Sequence, residues 1–205
     1  MKFAIVYDII IIIIFLNEGV SPLDYIYLVI AQTGTGAAKF FKMMTKKPFN
    51  HVSLASDVML SEMYSFCRNH HTFPLPATFN KEIVGQGTLG RFDSIPCEIY
   101  RIPVTHKQKE IYEDTIKYFI KNRNVFSYNL FGLVAVYLNI AWNRKKNFFC
   151  SQFVAYTIEQ MGIPLEKPFC LYTPDDFRDF PGSTLIYAGE LNSFYNTHSP
   201  KMISS

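Results

Sequence analysis

No CxxC pair and no His/Cys combination at zinc-finger spacing occurs among the four cysteines, Cys67, Cys97, Cys150 and Cys170. Their wide scatter also excludes a small disulfide scaffold, so reduced thiols are expected and neither a metal nor a cofactor is called for. Basic residues are not gathered into a stripe interleaved with stacking aromatics, and the net charge is only +3; nucleic acid is therefore not an expected partner. A phosphate loop is missing too: Gly34-x-Gly36 has no third glycine, and Lys39 is out of place for one. No apolar run reaches the roughly 20 residues of a membrane span. The strongest, residues 3–16, is broken by Asp8 and is not followed by an A-x-A cleavage pattern. It reads as an extension or an Ile-rich strand, with membrane contact through it not favoured and a cytoplasmic protein expected. Membrane association or export through this apolar N-terminus is the alternative. No internal repeat is visible.

What is present suits one domain. The chain has 205 residues, 49% of them hydrophobic and 18% charged, enough apolar material for a packed core. Aromatics reach 16%, which fits a core together with an aromatic-lined cleft. The pattern divides the chain into an apolar N-terminal extension (1–24), a domain (25–190) and a polar tail (191–205) expected to be poorly ordered.

Within the domain, Tyr25 to Ala31 is β-branched and aromatic, the composition of a buried strand. A glycine-bearing turn follows, then a short basic helix over 37–46. Asn50 to Ser56 alternates as a strand, and after a tight Asp57-Val58 connection Met59 to Phe66 returns as its partner. Residues 67–90, rich in Pro, Gly, His and Asn, read as a long excursion. Ser94 to Pro103 is a further strand. Thr105 with Gln108 predicts a capping box for a helix to about Asn122. Residues 126–140 predict a second, uncharged helix, buried or walling a cleft. The basic loop Arg144-Lys145-Lys146 reads as a solvated charge run. Thr173-Pro174-Asp175-Asp176 starts a short helix with proline at its first position and acids in its first turn. Thr184 to Ala188 is a last strand.

The most informative stretch is Asn147 to Met161. Asn147 is a good N-cap, and Gly162 with Pro164 supplies the stop. Cys150, Phe153, Val154, Thr157, Ile158 and Met161 fall on one face of the helix. A cysteine in a first turn feels the positive end of the helix dipole, which favours a nucleophilic thiolate. Equally, a free cysteine on such a stripe reads as one more small buried residue. A nucleophilic thiol needs a base and a group to orient that base. Of the five histidines, His51 alone is embedded in a strand; His70 and His71 sit in the excursion, His106 in a first helical turn and His198 in the tail. Glu62, on the return strand, is a candidate to orient His51, and reads equally as a solvent-facing strand carboxylate. Gln32, near the end of the first strand, is a candidate oxyanion donor, and Tyr64 a candidate substrate contact.

These residues carry a resemblance. The order Asn50-His51-Val52-Ser53-Leu54, a return strand with Glu62, then Phe149-Cys150-Ser151-Gln152-Phe153-Val154 and Thr173-Pro174-Asp175-Asp176-Phe177 resembles the circularly permuted papain-like hydrolases. These are YiiX/YaeF-like relatives of the NlpC-type peptidases, kin also to lecithin retinol acyltransferase. The likeness spans about residues 25–190. It implies an α+β fold, an antiparallel sheet packed against helices with the cysteine at a helix N-terminus. It also implies Cys150 as nucleophile, His51 as base and Glu62 as third member. The expected activity is a cysteine hydrolase (amidase or peptidase) cleaving a peptide or acyl–amino-acid bond through a thioester. A lipid-directed acyltransferase or esterase of the same fold is one alternative, and a catalytically silent binding protein another. Departures are the absence of glycine at Asp57-Val58 and the N-terminal segment, which has no counterpart.

Overall fold

The structure is a computed structural model that describes residues 24–34, 47–68 and 77–198. The apolar 3–16 run, the expected helix at 37–46, and His70 and His71 lie outside the described residues. The fold is α+β, with an antiparallel sheet packed against helices. Six strands are β1 (Asp24–Ala31), β2 (His51–Ala55), β3 (Met63–Arg68), β4 (Ala77–Glu82), β5 (Pro96–Val104) and β8 (Thr184–Glu190), ordered β4-β3-β2-β1-β5-β8. All of these pairings are antiparallel. Two short strands, β6 (Ser127–Tyr128) and β7 (Asn147–Phe148), pair in parallel. Four α-helices, α1 (His106–Lys121), α2 (Leu130–Tyr137), α3 (Cys150–Gln160) and α4 (Leu191–His198), and three short 3-10 turns complete the described elements.

The central strands are apolar on both sides because both faces of the sheet are covered. On one face Ile26, Leu28, Ile30, Val52 and Leu54 pack on α1 and α3 through Ile116, Phe119, Phe153, Val154 and Ile158. On the other, Val29, Ala31, Ala55, Met63 and Ile99 meet Val84, Leu89, Ile95 and the α4 residues Leu191 and Phe194. Much of the aromatic surplus is core. Phe119 lies 4.5 Å from Phe126 and 5.1 Å from Phe153, and Phe79 lies 5.2 Å from Phe153, centroid to centroid. Each such ring contributes about 1.5–3 kcal/mol by burial, with roughly 0.5–1.5 kcal/mol more per well-placed pair.

Local signals account for several elements. The Thr105/Gln108 capping box opens α1, with Thr105 Oγ1 accepting from the Gln108 N–H at 3.2 Å and Gln108 Oε1 accepting from the Thr105 N–H at 2.9 Å. Thr173 and Asp176 form a second capping box at the 3-10 turn Pro174–Asp179. Gly162 ends α3 in the left-handed region, at φ 76°.

Four expectations are corrected. Asn147 does not cap the cysteine helix; it belongs to β7, its side chain donates to Ser127 Oγ, and Phe149 is the N-cap. The uncharged helix is shorter than 126–140, because Phe126 enters the core, Ser127 and Tyr128 form β6, and Asn129 caps α2 by accepting from Gly132 N–H at 3.0 Å. The 67–90 excursion contains β4 and a 3-10 turn at Leu89–Arg91. Residues 191–198, expected in a polar tail, form α4, which buries Leu191 and Phe194. Among the described residues no helix is long and apolar enough to cross a membrane.

Candidate active site

His51 is the first residue of β2, and three bonds from Asn50 fix that strand's start. Asn50 Oδ1 accepts from Thr33 N–H (3.1 Å) and Thr33 Oγ1 (2.9 Å), while Asn50 Nδ2 donates to Thr33 O (3.1 Å). The β2–β3 ladder comprises Leu54/Tyr64 and Ala55/Met63, so His51 sits beyond the paired part. There its side chain is close enough to Cys150, at the start of α3, for the two to interact electrostatically. The thiol and the imidazole arrive from elements about 99 residues apart in the chain, and the sheet–helix packing brings them together.

The carboxylate on His51 is Glu82, not Glu62. His51 Nε2 lies 3.0 Å from Glu82 Oε1 and 3.1 Å from Oε2, and Ser53 Oγ donates to Oε2. All three residues are buried. Glu62 is half exposed, bonded to Tyr64 OH at 2.5 Å and to Lys81 Nζ at 2.9 Å. The reason is strand parity. Ala55 pairs with Met63, which pairs with Glu82, so His51, Ser53, Met63 and Glu82 share one face. Glu62 falls on the opposite parity with Tyr64, and a one-residue offset sends a side chain to the other face. The reversal before β3 is also longer than Asp57-Val58. It passes through Leu60 at φ 53°, with Asp57 Oδ1 accepting from Ser61 N–H at 3.2 Å.

The electrostatics follow the contacts. Burial pulls the His51 pKa down, but the charge of Glu82, hydrogen bonds to Cys150 and Glu82, and the charge of Cys150 outweigh it, holding the imidazole well above its usual range. Burial raises the Glu82 carboxyl, but the His51 charge and hydrogen bonds from His51, Ser53 and Cys67 win, leaving it below its ordinary value. The pair is thus an imidazolium and a carboxylate. Cys67, beside Glu82, is pushed up by burial and by that same carboxylate. Burial also raises Cys97, to about 12, and Cys170.

Cys150 opens onto a cavity of about 340 Å³. Phe49, Tyr128, Leu133, Val136, Tyr137, Phe149 and Tyr172 give it mostly apolar walls. Asn50 and the Lys47–Asp175 ion pair (2.6 Å) form a polar corner. No side chain caps the N-terminus of α3. Its first backbone N–H groups are the donors that an oxyanion at this place would meet. Ser151 Oγ ties the helix start to Tyr172 O at 2.7 Å. Gln152, fully buried, accepts from Asn129 Nδ2 at 3.1 Å, joining α3 to the cap of α2. Gln32 prolongs β1, donating its N–H to Pro96 O at 2.8 Å. Alternation puts its side chain on the face of Leu28 and Ile30, where α3 packs.

The remaining residues lie elsewhere. Tyr64 is stacked on Phe79 at 5.8 Å and does not line the Cys150 cavity. His106 is exposed beside Asp24 (3.1 Å), and His198 stacks on Phe194 at 4.2 Å. Glu82 was missed in the sequence, where the strand-favouring Thr78-Phe79 pair is the one signal; in the structure Ala77, Phe79 and Glu82 are the buried positions of that strand. Comparisons with protein-family models, curated proteins and solved structures found no match for the chain.

Proposed function

We propose that this protein is a cysteine-dependent hydrolase that cleaves an amide bond, of peptide or acyl–amino-acid type, through a thioester. The observation that carries the reading is a buried His51, ion-paired with Glu82 and within interaction range of Cys150, which opens onto a cavity. The His-before-Cys order, the antiparallel sheet and the cysteine at a helix start support a permuted papain-like fold.

Because Nε2 faces Glu82, Nδ1 is the nitrogen that exchanges a proton with Cys150. The thiolate attacks the substrate carbonyl carbon, and the carbonyl electrons move onto oxygen. That oxyanion is held by the backbone N–H groups of Cys150 and Ser151 and by the Gln32 side chain. His51 then gives its proton to the departing nitrogen, leaving a thioester on Cys150. Water attacks the thioester, His51 takes the water's proton, and the acid leaves as the thiol reforms. Glu82 and Ser53 fix the imidazole tautomer throughout.

A second reading, a lipid-directed esterase or acyltransferase, draws on the apolar walls of the cavity, which suit a hydrocarbon acyl group. The test offers peptides, acyl–amino acids and phospholipids to wild type and Cys150→Ser, and intact mass records any adduct on Cys150. Turnover with an acyl adduct in wild type alone is the expected result. The ranking of the substrates chooses between the two readings. Turnover that survives in Cys150→Ser removes the nucleophile, and binding without turnover of any substrate marks a silent ligand carrier.

A further inference from the structure

α2 has no charged side chain and, apart from the Tyr137 hydroxyl, no polar one: Leu-Phe-Gly-Leu-Val-Ala-Val-Tyr. A helix that is apolar all round is ordinarily buried all round. Here one side is accounted for, since Gly132 and Ala135 are buried and Leu133 and Val136 wall the Cys150 cavity. The outer side is open. Phe131 is 62% exposed, Val134 55% and Leu138 58%, and the chain continues through Ile140 at 54% and Trp142 at 48%. The Trp142 ring lies 6.4 Å from that of Phe131, so the two segments form one patch. Monomers rarely leave such contiguous apolar surface without a use for it.

The charge carried by this segment has one sign, and the nearby Asp175 is paired with Lys47. Arg144 lies over the Trp142 ring at 5.8 Å, and Lys145 and Lys146 are exposed next to it. No Asp or Glu occurs between Asp114 and Glu159. An apolar ridge, a tryptophan at its edge and an adjoining basic segment match a bilayer interface with anionic headgroups. Two copies facing each other through this patch would bring like charges together. We propose that α2 and the chain through Lys146 dock on an anionic lipid surface. The outer side of α2 then enters the headgroup boundary and the inner side holds the Cys150 cavity next to it. The docking does not depend on Cys150 being catalytic.

Trp142 is the single tryptophan of the chain, so its emission reports directly on this face. The experiment titrates the full chain with phosphatidylcholine vesicles, with and without phosphatidylglycerol, and reads Trp142 emission and cosedimentation. A blue shift and partitioning that require phosphatidylglycerol and weaken with salt are expected, in wild type and in Cys150→Ser alike. Lys145→Ala with Lys146→Ala should weaken partitioning about 25-fold, near fivefold per charge. Phe131→Ser with Val134→Ser, both at exposed positions, should weaken it about tenfold or more with unchanged thermal stability. Partitioning that persists in both variants, or that leaves Trp142 emission unmoved, assigns lipid contact to another segment and overturns the proposal. So does the absence of vesicle binding, whether the chain instead self-associates in sedimentation or binds an acidic protein.

Discussion

Replacing Glu82 by Gln tests the site at its most informative point, because shape is kept and charge removed. In the native protein both Glu82 oxygens lie within 3.1 Å of His51 Nε2, and Ser53 donates to one of them. The amide offers one acceptor oxygen and no charge. Breaking a buried ion pair by deleting a partner costs about 3–5 kcal/mol when the other charge stays. Here His51 escapes part of that by releasing its proton, so the loss is set by the charge-assisted bonds, about 2–3 kcal/mol. For a chain of this size that lowers Tm by roughly 5–10 °C. The same change lowers the His51 pKa, and with it the imidazolium beside Cys150. Alkylation of Cys150 by iodoacetamide, mapped by peptide mass between pH 6 and 9, should slow at least tenfold at pH 6. Turnover should fall about 10²–10⁴-fold, the scale on which an unoriented base fails. Cys67, Cys97 and Cys170, all raised by burial, are slow-reacting internal references. Glu62→Gln is the control: on the outer edge it should leave the alkylation rate within about twofold and stability within roughly 0.5 kcal/mol. Equal reactivity of Glu82→Gln and wild type refutes the reasoning, as does a Glu62→Gln variant slowed to the same degree.

The pair also shapes stability against pH. The His51 pKa is raised above its reference of 6.5, so its contribution is complete below about pH 6.5 and declines as pH rises toward the folded value; Glu82, depressed below 4.5, contributes fully above about pH 4.5 and loses that as pH falls. Denaturant titrations should therefore give a maximum between these limits, with both flanks flattened in Glu82→Gln; an unchanged profile counts against the ion pair. Gly132→Ala places a methyl carbon 2.2 Å from Asn129 Nδ2, an overpacking that should cost about 1–3 kcal/mol. Calorimetry showing no loss would mean that α2 is not seated on its cap as described.

Elements with a strong local signature were legible in the sequence. Six residues of one helical stripe, from Cys150 to Met161, are all buried, and the two capping boxes lie at Thr105 and Thr173 as read. His51 as a strand histidine was legible because Val52 and Leu54 alternate with His51, Ser53 and Ala55 in β2. The third residue was not, for two physical reasons. Leu60 takes a left-handed backbone that its side chain disfavours, which lengthens the reversal and fixes Glu62 on the wrong face. Glu82 lies in a strand bounded by Pro, Gly, His and Asn, whose loop-like composition conceals six paired residues. The displaced cap has a similar origin, since Asn147 is used in pairing with Ser127. Long-range pairing, not local preference, decided each case.

The spacing of the three site residues bears on the order in which the protein acquires its chemistry. Glu82 follows His51 by 31 residues. Closing the loop from His51 to Cys150, about 99 residues, costs on the order of 1 kcal/mol more chain entropy. The base and its carboxylate therefore meet by the cheaper closure, on strands that pair before residue 150 is needed. Loop-closure entropy thus favours an order in which the thiol joins last, as α3 seats on the sheet. On that account Cys150 takes its place at the start of α3 only after the His51–Glu82 pair has been made.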